Sequence, residues 1–387
     1  MTEQSPAEPH LCIIKGHLPL ISETFIDSHI QRLAGEKVVL YNYFPEYVHN
    51  NKTVRTYYSQ RPLYRRIQRL LPATLYDRWV GRYHNHPDTI RDFLYAFFRQ
   101  HRVSCILAEY GINGADICQT ARELQIPLVV HFHGHDAHRL PDVQPYREKY
   151  KLMFQYASSL ISVSNLMTQA LLDLGAPAEK IVYNPYGARE YFYQVQPDYR
   201  PTLIAVGRFA EIKAPYLTVA AFSEALRTVP AARMVMVGDG HLLECCRSLA
   251  LALGIADRIS FPGAITHEHF LPLMSQACAF VQHSVTPSYG DAEGTPNSVL
   301  EAQAAGLPVI STTHAGICEA VVHGSTGFLV PERDIHGMAR HMVQLLTSPQ
   351  LARTMGTAAR EHIRKNYNID RHISILQQAV DTAHTAR

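Results

Sequence analysis

The feature that most limits the fold of this chain is a pattern that runs, stops and starts again. From Leu11 onward the short apolar runs "LCIIK", "KVVLYN", "VSCILAE", "PLVVHF" and "SLISVS" alternate with longer amphipathic stretches such as "TIRDFLYAFFRQ" and "ADICQTARELQ". A short, uninterrupted apolar run reads as a strand covered on both faces, and a helical stretch between two such runs is the crossover that parallel strands require. The polar passage "NPYGAREYFYQVQPDYRP" interrupts the pattern, after which "TLIAVGRF", "RMVMVGDG", "ISFPG", "CAFVQHS" and "LPVIST" begin it anew. The expectation is an α/β protein of two doubly wound halves, residues 1–198 and 199–367, each with a parallel sheet. The last helical stretch, about residues 368–387, fits either half. A length of 387 residues suits two domains of about 100–200 residues each.

Composition removes several alternatives. Hydrophobic content of 47% with 18% charged residues is that of a globular protein. No run reaches the roughly 18 apolar residues needed to span a bilayer, and "MTEQSPAEPHLCIIKGHLPL" lacks the basic end and long apolar stretch of a secretory signal. The expected location is therefore the cytoplasm. Seven cysteines, an odd number without a CxxC spacing, read as reduced thiols. The 22 histidines invite a metal hypothesis, but the chain carries neither HExxH nor a DxD pair. In "PLVVHFHGHDA", alternating positions along a strand face opposite ways, so His131, His133, His135 and Asp136 are not expected to converge on one ion. No metal and no bound cofactor are expected.

The net charge of +2 hides an asymmetry: between Lys52 and Arg102 eleven Lys or Arg residues face three Asp. Residues 61–82 interleave arginines with Leu63, Ile67, Leu70, Tyr76 and the single Trp79. This reads either as a solvated helical insertion or as a peripheral contact with an anionic membrane surface. No nucleic-acid-binding motif accompanies it, so nucleic acid is not among the expected partners.

Two motifs fall at predicted strand ends, where open α/β sheets bind ligands. In "IAVGRFAEIKAP", Gly207 ends a strand, and Arg208 and Lys213 lie close enough on one loop to clamp an anion such as a diphosphate. In "EGTPNSVLE", Thr295 and Pro296 read as the cap and first position of a helix. The N–H groups of Asn297, Ser298 and Val299 would then face an anion, with Gly294 allowing close approach. Glu293 precedes that end and Glu301 lies about 8 Å further along at 1.5 Å per residue. Carboxylates accept several hydrogen bonds at once, so Glu301 suits a ribose diol and Glu293 suits hexose hydroxyls. The chemistry implied is that of a nucleotide sugar.

"GDAEGTPNSVLEAQAAGLPVIST" resembles the E-x7-E signature of the family 4 retaining glycosyltransferases, and "VGRFAEIKAP" is similar to their diphosphate loop. The similarity runs through "GICEAVVHGSTGFLVPE". "LPLISETFIDSHIQRL" and "VVHFHGHDAHR" resemble the subgroup that builds bacterial exopolysaccharides, including colanic-acid-type enzymes. The resemblance implies the GT-B fold, two facing Rossmann-like domains with an interdomain cleft: an acceptor-binding N-terminal half and a donor-binding C-terminal half, the last helix crossing back. It implies transfer of a hexosyl group from a UDP- or GDP-sugar to a saccharide or lipid-linked acceptor without metal. By the same resemblance Arg208, Lys213, Glu293 and His133 form the catalytic group. Ser22, Glu23, Thr24, His135 and Asp136 line the acceptor side. Two departures stand out: Lys213 is followed by Ala214 and Pro215 where the family often has glycine, and "GHLPLISET" replaces a glycine-rich loop. Rival readings are a nucleotide-sugar 2-epimerase of the same fold and a non-catalytic sugar- or lipid-binding protein.

Overall fold

The computed structural model describes residues 10–16, 24–41, 46–49, 52–55 and 87–386. The first half forms a sheet of eight strands: β1 (His10–Lys15), β2 (Glu36–Tyr41), β3 (Glu46–His49), β4 (Lys52–Arg55), β5 (Cys105–Glu109), β6 (Leu128–His131), β7 (Ser159–Ser162) and β8 (Ile181–Tyr183). Their order across the sheet is β4-β3-β2-β1-β5-β6-β7-β8. The second half forms a six-stranded sheet from β9 (Thr202–Val206), β10 (Arg233–Val237), β11 (Ile259–Gly263), β12 (Ala279–Val281), β13 (Val309–Thr312) and β14 (Gly327–Val330), in the order β11-β10-β9-β12-β13-β14. The second sheet is parallel throughout. The first is parallel except at one edge, where β2, β3 and β4 pair antiparallel. Only two residues separate β3 from β4 in sequence, too few for the crossover that parallel strands require.

Continuous apolar runs occur where both faces are covered. Leu11, Cys12, Ile13 and Ile14 of β1 are all fully buried. Cys12 and Ile14 join the larger core, whereas Leu11 and Ile13 pack with Leu376, Ala379, Val380 and Ala383. Those four positions follow one face of the final helix, Ile369–Thr385, at helical spacing. The chain thus returns from the second half to cover the open face of the first sheet.

Strand order reverses beside β1 in one sheet and beside β9 in the other, and the carboxyl ends of these strands carry the residues described below. The two halves share a buried cluster that includes Ile106 and Val130 from one and Ile204 and Phe280 from the other. Backbones approach closely between them: a Cβ on Gly294 would meet the His133 carbonyl at 2.6 Å, so only glycine fits. Leu140 N–H donates to Tyr289 O at 3.0 Å, and Asn165 N–H donates to Glu319 at 2.8 Å across the same boundary.

Candidate functional site

The loop after β9 is shaped by its neighbour. Gly207 N–H donates to Val237 O at 3.0 Å, and a Cβ on Gly238, at φ 138°, would meet Gly207 O at 1.9 Å. Glycine at 238 therefore lets the β9 and β10 loops touch. Arg208 stands exposed at the tip, with no ion pair among the described residues. A 3-10 turn, Glu211–Lys213, follows, and Ala214 then adopts the left-handed conformation at φ 35°. The backbone thus keeps a glycine-like conformation where the sequence carries alanine. Gly207, Arg208, Lys213, Met236 and Gln282 line a pocket on this side.

Lys213 reaches from this loop to the opening of the E-x7-E segment. Its ammonium lies 2.8 Å from the Glu293 carboxylate and donates to Gln282 Oε1 at 3.3 Å. Ser298 donates to the same oxygen at 3.1 Å, and Ser284 donates to Glu293 at 3.3 Å. Burial by itself would raise the Glu293 carboxyl, but Lys213, with help from His314 and Arg208, outweighs it and holds the group below its ordinary value. Asp291 moves the other way, raised by its own burial and by the charge of Glu293. Gln282, Ser284 and Asp291 were not singled out from sequence; their signal was the polar "QHS" at the end of a buried strand and the first acid of "GDAEG".

The helix beyond these residues runs Asn297–Ala304 and differs at its start from the sequence reading. Pro296, not Thr295, is the cap residue, without a side-chain bond. Thr295 instead donates to Val163 O in the first half and accepts from Tyr186 N–H at 3.3 Å. Interdomain contact therefore uses the hydroxyl that capping would have used. Val299 also leaves the row of open amides, because its N–H donates to Pro296 O at 2.9 Å. Asn297 and Ser298 keep N–H groups with no acceptor among the described residues.

Glu301 occupies a second pocket, between the halves, with Thr24, Ser28, Tyr186, Asn297 and His372. Arg189 lies 3.2 Å from its carboxylate. Burial pushes the Glu301 carboxyl up to about 7, against the pull of Arg189. Thr24 begins the helix Thr24–Arg32; Ser22, Glu23 and the basic stretch 61–82 lie outside the described residues.

The "HFHGHD" segment distributes its side chains differently from the expectation. Asp136 is fully buried, and its carboxylate accepts from the N–H groups of Gly111, His133 and Gly134 at 2.8, 3.0 and 2.9 Å. It shapes the loop and does not face an acceptor. His133 is 3% exposed, with Nε2 2.9 Å from Glu109 and Nδ1 bonded to the Tyr186 hydroxyl. Both ring nitrogens are taken within the protein, so the structure gives the His133 ring no free nitrogen for substrate. Burial lowers its pKa despite Glu109. His135 is the more open of the segment's side chains, 42% exposed, with Nδ1 2.9 Å from Asp142.

His131 and His133 sit two positions apart and therefore on one face; their rings stack with centroids 4.4 Å apart. These two rings begin a buried cluster, whereas His135 and Asp136 are held by Asp142 and by the three amides. Distant residues join it: His29 lies 2.8 Å from Glu109 through Nδ1 and 2.8 Å from His372 through Nε2. Nothing in sequence marked Glu109, His29 or His372, since His29 and His372 are 343 residues apart.

Comparison with known proteins gives the same class. Residues 46–187 match the family model "Glycosyl transferase 4-like domain", and residues 189–362 match "Glycosyl transferases group 1". WcaL of Escherichia coli K12, a glycosyltransferase assigned to colanic acid biosynthesis, is 28% identical over 72% of this chain and 71% of its own. The amylovoran biosynthesis glycosyltransferase AmsK of Erwinia amylovora is 28% identical over 80% of this chain and 78% of its own. Anabaena HepE, solved in complex with UDP, superposes with a TM-score of 0.74 at 16% identity, over 97% of this chain and 100% of HepE. The fold and the two matches define a GT-B glycosyltransferase. The chain belongs to this family, with the 4-like domain in its first half and the group 1 domain in its second.

Proposed function

We propose that this protein is a retaining glycosyltransferase that moves a hexosyl group from a nucleotide-diphosphate sugar to a hydroxyl of a saccharide acceptor, lipid-linked, in bacterial surface polysaccharide assembly. The observation that carries the reading is the contact of Lys213 with Glu293, beside Arg208 in one pocket and linked through Gln282 to Ser298 at the start of the helix whose first amides are open. A guanidinium, an ammonium and a helix N-terminus together suit a diphosphate. The UDP complex of HepE and the polysaccharide assignments of WcaL and AmsK support the same reading.

In this reading the acceptor oxygen bonds to the anomeric carbon as the bond from that carbon to the diphosphate oxygen breaks. The acceptor's proton passes to the departing diphosphate. Negative charge grows on the leaving group, and Arg208, Lys213 and the amides stabilise it there. Glu293 is held by Lys213 and Ser284, which suits a binder of sugar hydroxyls rather than a nucleophile. Glu301 faces the ribose diol from the interdomain pocket, with Thr24 and His135 on the acceptor side.

The test is release of UDP or GDP from a panel of nucleotide sugars, with and without a lipid-linked acceptor. Rapid release that requires the acceptor supports the proposal. Conversion of the donor to an isomer, or binding without release, overturns it.

A further inference from the structure

The buried histidine cluster of the first domain brings together ring nitrogens whose hydrogen bonding is incomplete. With Glu109 ionised, His29 donates from Nδ1 to its carboxylate at 2.8 Å, because an ionised carboxylate only accepts. His372 must likewise donate from Nδ1 to the Pro185 carbonyl at 3.0 Å. Each neutral imidazole carries one proton, so both Nε2 atoms are left as lone pairs, facing one another at 2.8 Å. His131 repeats the pattern: Nδ1 lies 3.2 Å from the Phe132 carbonyl, while Nε2 is buried without a hydrogen-bond partner in a fully buried side chain. One ring nitrogen from each of His29, His131 and His372 falls within 4.8 Å of the others.

Two facing lone pairs at that distance repel unless something positive lies between them. A proton shared between them would answer that pair alone and leave the buried His131 Nε2 without a partner. A divalent cation satisfies all three nitrogens together. The outer bonds are those of ligating histidines, whose second ring nitrogen donates to a carboxylate or a backbone carbonyl. We propose that His29, His131 and His372 form a binding site for a divalent transition metal, zinc foremost, oriented by Glu109 and by the carbonyls of Pro185 and Phe132.

Zinc binds imidazole nitrogen at about 2.0–2.1 Å, so tetrahedral ligands lie about 3.3 Å apart and the 2.8 Å pair opens by about 0.5 Å on binding. His372 also lines the interdomain pocket. This metal is not a donor-site metal. His372 comes from the final helix, and Glu109 holds His29 with one oxygen and His133 with the other. The ion would fasten the returning helix to the first sheet and fix the orientation of His133.

The experiment uses the full chain without an affinity tag. Metal is measured after purification, then removed by dialysis against a chelator and replaced with zinc or cobalt alone. The expected result is one equivalent per chain, with the intense visible bands of tetrahedral cobalt. Zinc affinity should fall about 100-fold or more in His131→Gln and His372→Gln. The His336→Ala control, whose side chain is 84% exposed, should bind as wild type does. Substoichiometric zinc with only weak octahedral cobalt spectra in the folded wild type overturns the proposal, and that measurement decides even if a variant fails to fold. So does wild-type affinity in folded His131→Gln and His372→Gln, because surface histidines would then be the ligands.

Discussion

Glu293 and Lys213 oppose one another, and their exchange should move binding and turnover in opposite directions. Lys213 and Glu293 lie 2.8 Å apart, 15% and 12% exposed, so the carboxylate neutralises the ammonium that the account assigns to the diphosphate. In Glu293→Gln the cation is released. A carboxylate and a phosphate oxygen about 6 Å apart at an effective dielectric near 60 repel by about 1 kcal/mol, so the affinity for UDP or GDP should rise about 5-fold. Turnover should nevertheless fall at least about 10-fold, because the charged acceptor for a sugar hydroxyl is gone. Lys213→Met should lose a charge-assisted bond of about 1.5–3 kcal/mol, weakening nucleotide binding about 10- to 100-fold. It also leaves Glu293 buried without its main partner, at a cost of about 2–4 kcal/mol in stability. The pH dependence should reverse as well. In wild type the depressed carboxyl contributes stability above its ordinary pKa, lost as the pH falls through the folded value. Without Lys213 burial raises the group, and stability should decline as the pH rises. Calorimetric titration with UDP and GDP, urea unfolding across pH and initial rates measure these effects. Weaker nucleotide binding in Glu293→Gln, or unchanged binding in Lys213→Met, would refute the reasoning.

Three further outcomes are expected. Glu301, raised to about 7, holds its proton more tightly folded than unfolded, so its contribution to stability falls as the pH rises from about 4.5 to 7; Glu301→Gln should remove that slope from urea-derived stability, and an unchanged slope would acquit the residue. Ala214→Gly should stabilise by about 0.5 kcal/mol, the relief of a left-handed alanine of about 1–2 kcal/mol being partly offset by the freer unfolded chain; a loss in thermal or urea unfolding would contradict it. Thr295→Val should cost about 1–2 kcal/mol by stranding the Val163 carbonyl and loosening the contact between the halves; hydrogen exchange around Val163 and Tyr186 should rise, and unchanged protection would argue against that contact.

Much of the fold was legible because parallel strands covered on both faces leave a continuous apolar trace. "LCIIK" falls within β1, "VSCILAE" contains β5 and "TLIAVGRF" contains β9, each followed by a helix. The strands β3, β4, β8 and β14 left no such trace: β4, β8 and β14 lie at sheet edges, and β3 and β4 mix polar or charged residues with apolar ones. Arg208, Lys213 and Glu293 were legible because they lie at strand ends close to glycine. The cap at Thr295 was misread because local rules place Ser and Thr at helix starts, while a carbonyl 132 residues away claimed its hydroxyl. The closing of the Val299 amide by Pro296 is a backbone choice with no sequence mark. The burial of Asp136 under three amides and the meeting of His29 with His372 depend on topology, which the local pattern does not encode.

The account rests on a diphosphate site between the β9 loop and the helix Asn297–Ala304. A crystal structure with UDP or GDP bound tests it most directly. Phosphate oxygens within hydrogen-bond distance of Arg208, Lys213 and the Ser298 amide are the predicted result. A nucleotide bound elsewhere at saturating concentration, with Lys213 still closed on Glu293, would contradict it.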